Sequence, residues 1–212
     1  MLTEEQYNFV KYYERSFRNN WDLEAVTDYG TSVTLTYGQL ATTIAKLHVL
    51  FEECGIQKDD KIAVMGKNNS NWVTVYLATV TYGAIIVPIL QDFKANDAIH
   101  IVNHSESKLL FISDINWEGI DLEQIPDVMA VISLNDWHPI SLTLDPKRIN
   151  IQTISELFNS RYPNGYSADD VHYAARSHDQ IASINYTSGT IGLSKADIMP
   201  HDGLAGTGKY GS

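Results

Sequence analysis

The chain has 212 residues, enough for one large α/β domain or two small ones, and its 44% hydrophobic and 19% charged content is that of an ordinary globular protein. A net charge of -11 with 15 Lys and Arg spread along the chain leaves no basic face for a phosphate backbone, so nucleic acid is not an expected partner. No apolar run approaches the roughly 18 residues of a membrane span, the start from Met1 to Gln6 lacks the pattern of a secretory signal, and the lone Cys54 excludes an internal disulfide or a cysteine-built zinc site; together these imply a soluble, cytoplasmic protein.

In chain order, Thr3 and Gln6 form a capping-box pattern ahead of a first helix whose Tyr7, Val10, Tyr13 and Phe17 share one face. Val26–Gly30 and Val33–Tyr37 read as two short strands paired into an antiparallel ribbon. Thr36 then caps a second helix, with Gln39 in the box position, Leu40, Ile44, Leu47 and Phe51 as its buried stripe, and Gly55 as its stop. Cys54, just ahead of Gly55, reads as a small buried hydrophobe.

Ile62–Gly66 is an apolar run between turn residues, as a central parallel strand would be. A helix from Asn68 to Gly83, with Trp72, Tyr76 and Val80 on one face, leads to a strand at 84–88. Helix at 97–103 and strands at 108–113 and 128–133 continue the alternation, which predicts a doubly wound, mostly parallel sheet flanked by helices. Three prolines break up 135–179, which reads as a surface excursion with one short helix at 155–159 behind Thr153. Ile181–Tyr186 then resumes the sheet.

The twelve residues from Ile184 to Lys195, Ile-Asn-Tyr-Thr-Ser-Gly-Thr-Ile-Gly-Leu-Ser-Lys, combine hydroxyls, glycines and a lysine directly after that strand. Gly189 and Gly192 let the backbone approach an anion with its N–H groups turned inward, Thr187, Ser188 and Thr190 add hydroxyl donors, and Lys195 adds a positive charge. The pattern is that of a phosphate loop at the carboxyl end of a strand, where open α/β sheets hold ligands. It is not the Walker pattern, since Ser194 precedes the lysine and Ala196 follows it.

The stretch resembles the phosphate-loop signature of the adenylate-forming (AMP-binding) superfamily, with Ile191 in place of the commoner threonine and Ala196 in place of the usual glycine. Thr36-Tyr-Gly-Gln-Leu40, Gly66-Lys-Asn-Asn-Ser-Asn-Trp72 and Tyr76 through Pro88 are similar to three further blocks of that family in the same order, so that the resemblance covers about Val33 to Leu204. The overall texture most resembles bacterial long-chain fatty-acid CoA ligases. The resemblance implies activation of a fatty acid by ATP to an acyl-adenylate and transfer to CoA, with Mg2+ accompanying the ATP. It assigns phosphate binding to Thr187, Ser188, Gly189, Thr190, Gly192 and Lys195, and no catalytic or metal-ligating residue in this chain.

Residues 1–204 are expected to form an incomplete N-terminal subdomain of an AMP-binding domain, with 205–212 as a flexible glycine-rich tail. The family's adenine, ribose and catalytic-lysine segments have no counterpart after Leu204, so the chain is expected to be inactive alone and to self-associate through sheet surface left uncovered. The alternative is a non-catalytic anion-binding or scaffolding module that retains the fold.

Other patterns read as decoys. His100 and His104 stand at i, i+4, but no third ligand accompanies them. Ser188 lacks the glycine two positions earlier that a nucleophile elbow requires, and Gly206–Gly211 spells Gly-x-Gly-x-x-Gly with no helix to follow. His201 falls in a segment resembling the one that follows the family's loop. Asp197 occupies a strand position where burial without a partner would cost several kcal/mol, so it is expected to be exposed, or its strand poorly formed.

Overall fold

The computed structural model describes residues 8–142, 151–187 and 195–204. Its first helix, α1 (Phe9–Asn19), is capped by Asn8, whose side chain accepts from the Lys11 amide at 3.3 Å. Val10 and Phe17 are buried as the helical spacing predicts; the expected Thr3–Gln6 box and Tyr7 lie outside the described residues. The strands β1 (Glu24–Asp28) and β2 (Val33–Thr36) form the expected antiparallel ribbon.

The capping box predicted for α2 (Tyr37–Glu53) is present in both directions: the Gln39 amide donates to Thr36 Oγ1 at 3.2 Å, and the Thr36 amide donates to Gln39 Oε1 at 2.9 Å. Each bond satisfies an N–H that the first turn would leave orphaned. Beyond the helix Gly55 takes a left-handed φ of 75°, and Cys54 is buried.

Next come β3 (Lys61–Met65), α3 (Ser70–Tyr82), β4 (Ile85–Ile89), α4 (Ala95–His104), β5 (Ser107–Ile112), the single turn α5 (Asp114–Trp117) and β6 (Ala130–Ser133). The strand order of the large sheet is β7-β6-β5-β3-β4-β8-β9, which puts β3 in the middle. β3 runs parallel to both neighbours, with Ala63 opposite Val87 on one side and Leu110 on the other.

Alternation along the strands builds two cores. Ile62, Val64, Ile86 and Phe111 pack under α2 and α3, while Ala63, Met65, Val87 and Ile112 pack under α4. This is the doubly wound α/β arrangement expected from the sequence. Among the described residues no helix is long and apolar enough to cross a membrane.

The region expected to be irregular holds more order than its prolines suggest. β7 (Pro139–Leu142) pairs antiparallel with β6 through a turn in which Trp137 adopts φ 66°. Pro139 is tolerated because β7 is outermost among the described strands of the sheet, where a missing N–H breaks no inner ladder. The short helix expected at 155–159 is instead α6 (Ile151–Arg161), with Thr153 inside it rather than capping it.

A strap then leads into β8 (Ile181–Thr187). Arg176 in this strap is buried, lies over Gly83 and forms an ion pair with Asp59, and its carbonyl accepts from the Asn8 side chain. The last strand, β9 (Lys195–Pro200), returns antiparallel to β8. It is fully formed, and Asp197 on it is exposed, so no buried charge arises.

Candidate anion-binding hairpin

β8 lies parallel to β4, with Ser183 opposite Ile86, so Thr187 stands at the carboxyl end of the parallel sheet. This is the end at which open α/β sheets take ligands. β9 starts beside it: Thr187 and Lys195 are register partners across the hairpin. Directly opposed residues of an antiparallel pair project from the same face with Cβ atoms about 4.5–5.5 Å apart. Both residues are exposed, so a hydroxyl and an ammonium face solvent side by side at the mouth of the hairpin.

The structure therefore brings together two of the six residues singled out for phosphate. Ser188, Gly189, Thr190 and Gly192 lie outside the described residues.

The neighbouring residue does something the sequence reading missed. Tyr186 points to the opposite face, is buried in the core under α4, and hydrogen-bonds His104 Nδ1 through its hydroxyl at 2.7 Å. Burial raises the phenol's pKa, so the tyrosine stays neutral. It fixes the end of β8 against α4 one residue before the hairpin mouth. The only available signal was the alternation itself, which sends Tyr186 inward when Thr187 faces out. The same contact occupies His104; its ring centroid lies 5.7 Å from that of His100, and among the described residues no group of three His, Cys, Asp or Glu side chains could hold a metal ion.

His201 lies at the other end of β9, on the order of 20 Å from Lys195 at about 3.4 Å per residue. The residue is 2% exposed, and among the described residues neither ring nitrogen has a hydrogen-bond partner. Burial, reinforced by the charge of Arg176, pushes its pKa down to about 4. It therefore belongs to the strap, not to the hairpin mouth.

Elsewhere at the carboxyl end several polar groups are already engaged with one another. Ser133 Oγ donates to Asp114 at 2.8 Å, Ser113 Oγ donates to Asn116 at 2.5 Å, and a Cβ on Gly66 would come within 2.7 Å of Leu134. An open groove of about 440 Å³ between α1, the ribbon, α2 and α3 is lined by Phe17, Val26, Tyr37, Trp72 and Tyr76 among others, and among the described residues no charged side chain lines it. It suits apolar matter rather than phosphate.

Residues 13–210 match the AMP-binding enzyme family. The chain is 26% identical over 196 residues to an acyl-CoA ligase of Ajellomyces capsulatus, covering 89% of this chain and 32% of that protein. It is 24% identical over 205 residues to the medium-chain fatty-acid CoA ligase of Escherichia coli, covering 93% and 33%. In fold it resembles a long-chain-fatty-acid-CoA ligase from Archaeoglobus fulgidus, with a TM-score of 0.70 at 18% identity over 94% of this chain and 37% of that one. The chain spans about a third of the length of the curated relatives it matches.

Proposed function

This chain belongs to the family of AMP-binding enzymes, and on that premise we propose that it is the N-terminal part of a cytoplasmic, AMP-forming CoA ligase for long-chain fatty acids. Residues 1–204 form the first portion of the AMP-binding domain in this reading. The fatty-acid carboxylate attacks the α-phosphorus of ATP, forming the acyl–phosphate bond as the bond to the bridging oxygen breaks and pyrophosphate leaves. The CoA thiol then takes the acyl group and AMP is released.

The role of this chain in that sequence is electrostatic. Thr187, Ser188, Gly189, Thr190, Gly192 and Lys195 hold the β- and γ-phosphates through hydroxyls, backbone N–H groups and one cation, and steady the charge that develops on the departing pyrophosphate. Mg2+ would arrive on the phosphates of ATP and neutralise part of their charge. The long-chain reading rests on the resemblance of Thr81–Leu90 and Ile101–Phe111 to the long-chain ligases; the relatives include a medium-chain ligase.

The observation that carries the reading is the pairing of Thr187 with Lys195 at the carboxyl end of β8. Calorimetric titration of this chain with MgATP tests it, with Lys195→Ala as the control. Losing a charge-assisted contact should weaken binding about tenfold or more. Equal affinity in the variant would sink the assignment of Lys195.

A further inference from the structure

Among the described residues β9 pairs with β8 alone and is the outermost strand of the large sheet. No described residue pairs with its outer edge, where a strand without a second neighbour presents a row of backbone N–H and C=O groups to another strand. Lys195 through Ile198 are exposed on both faces, and the Ile198 side chain is 57% exposed.

Edge strands commonly resist pairing by carrying charges that repel a like strand. Here the charges are of opposite sign and two residues apart. Lys195 and Asp197 share one face of β9, and among the described residues neither has an ion-pair partner.

That spacing is self-complementary in one register. When two copies of β9 lie antiparallel about a two-fold axis through Ala196, Lys195 of each copy stands directly opposite Asp197 of the other, which gives two identical ion pairs. A register centred on Asp197 sets that carboxylate against itself. One centred on Ile198 draws Pro200, which has no N–H, into the ladder.

We propose that a second copy of this chain docks on β9 by antiparallel edge pairing centred on Ala196, so that the large sheet continues through both copies. Lys195 then has two alternative anionic partners, Asp197 of the second copy and the phosphate of the proposed ligand. The dimer itself does not depend on that ligand.

Sedimentation velocity of this chain across a concentration series tests the proposal without any ligand. A reversible dimer is expected, weakened by added salt because both ion pairs are solvent-exposed. Asp197→Lys sets lysine against lysine at both positions and should raise the dimer Kd by roughly tenfold or more. The double variant Lys195→Asp with Asp197→Lys merely exchanges the charges and should restore the dimer. Both side chains are exposed, and circular dichroism of each variant should match the parent. A monomer at every concentration, a dimer indifferent to Asp197→Lys, or a double variant that fails to recover the dimer overturns the proposal.

Discussion

Tyr186 and Thr187 are adjacent in sequence and opposite in use, one tied to α4 and the other facing solvent at the hairpin mouth. Removing the Tyr186 hydroxyl leaves an exposed His104 that water can satisfy, so Tyr186→Phe should cost only about 1 kcal/mol in urea unfolding. Gly83 is less forgiving. It ends α3 at φ 92°, and a Cβ there would lie 3.4 Å from Arg176 Nη1. Gly83→Ala should therefore destabilise by about 1–3 kcal/mol, with left-handed strain and pressure on the buried arginine acting together. Gly30→Ala, where nothing lies within 4 Å and φ is not positive, should stay within about 0.5 kcal/mol. Equal losses at the two glycines in denaturant titrations would refute this account of Gly83.

At the scale of elements, α2 shows what a sequence can state outright. Its start is written in Thr36 and Gln39, its stripe in Leu40, Ile44, Leu47 and Phe51, and its stop in Gly55, all within a local window. Thr36→Ala should lower the stability by about 1 kcal/mol, measured as a shift of the urea midpoint, because the Gln39 amide loses its acceptor. β3 was equally legible, since burial on both faces leaves an unbroken apolar run. β7 was not: four residues beginning with proline carry no alternation, and the strand exists because β6 offers an edge. α6 was read short because Thr153 looks like a cap, whereas tertiary packing of Ile154 and Phe158 in the main core carries the helix through it. Of the candidate site, residue types and order were legible. The register that sets Lys195 beside Thr187, and the anchoring of Tyr186 by a residue 82 positions earlier, come from strand pairing and helix packing that no local pattern encodes.

At the scale of the whole molecule, two histidines make stability depend on pH. His48 lies between α2 and α3, where Nε2 donates to the Ala78 carbonyl at 2.9 Å, and burial pushes its pKa down to about 4; His201 is pushed to about 4 as well. The unfolded chain protonates both near the ordinary value of about 6.5, while the folded chain holds them neutral until about pH 4. Between these values the unfolded state binds more protons. Stability is therefore complete above about pH 6.5 and is lost as pH falls toward 4, by up to about 1.4 kcal/mol per pH unit for each histidine. Urea midpoints should drop between about pH 7 and pH 5, and by less in His48→Gln, which keeps an N–H for Ala78 without the titration. Midpoints independent of pH would contradict the neutral, buried state of both rings.

The strand order also fixes a schedule for synthesis. β4 is complete at Ile89, but its outer neighbour β8 does not begin until Ile181, while β5 and β6 add on the other side of β3 in the meantime. At about 5–20 residues per second, a ribosome leaves the outer edge of β4 uncovered for on the order of ten seconds. Nascent chains arrested short of Ile181 should exchange with solvent those β4 amides that point away from β3, and chains carried past Pro200 should protect them.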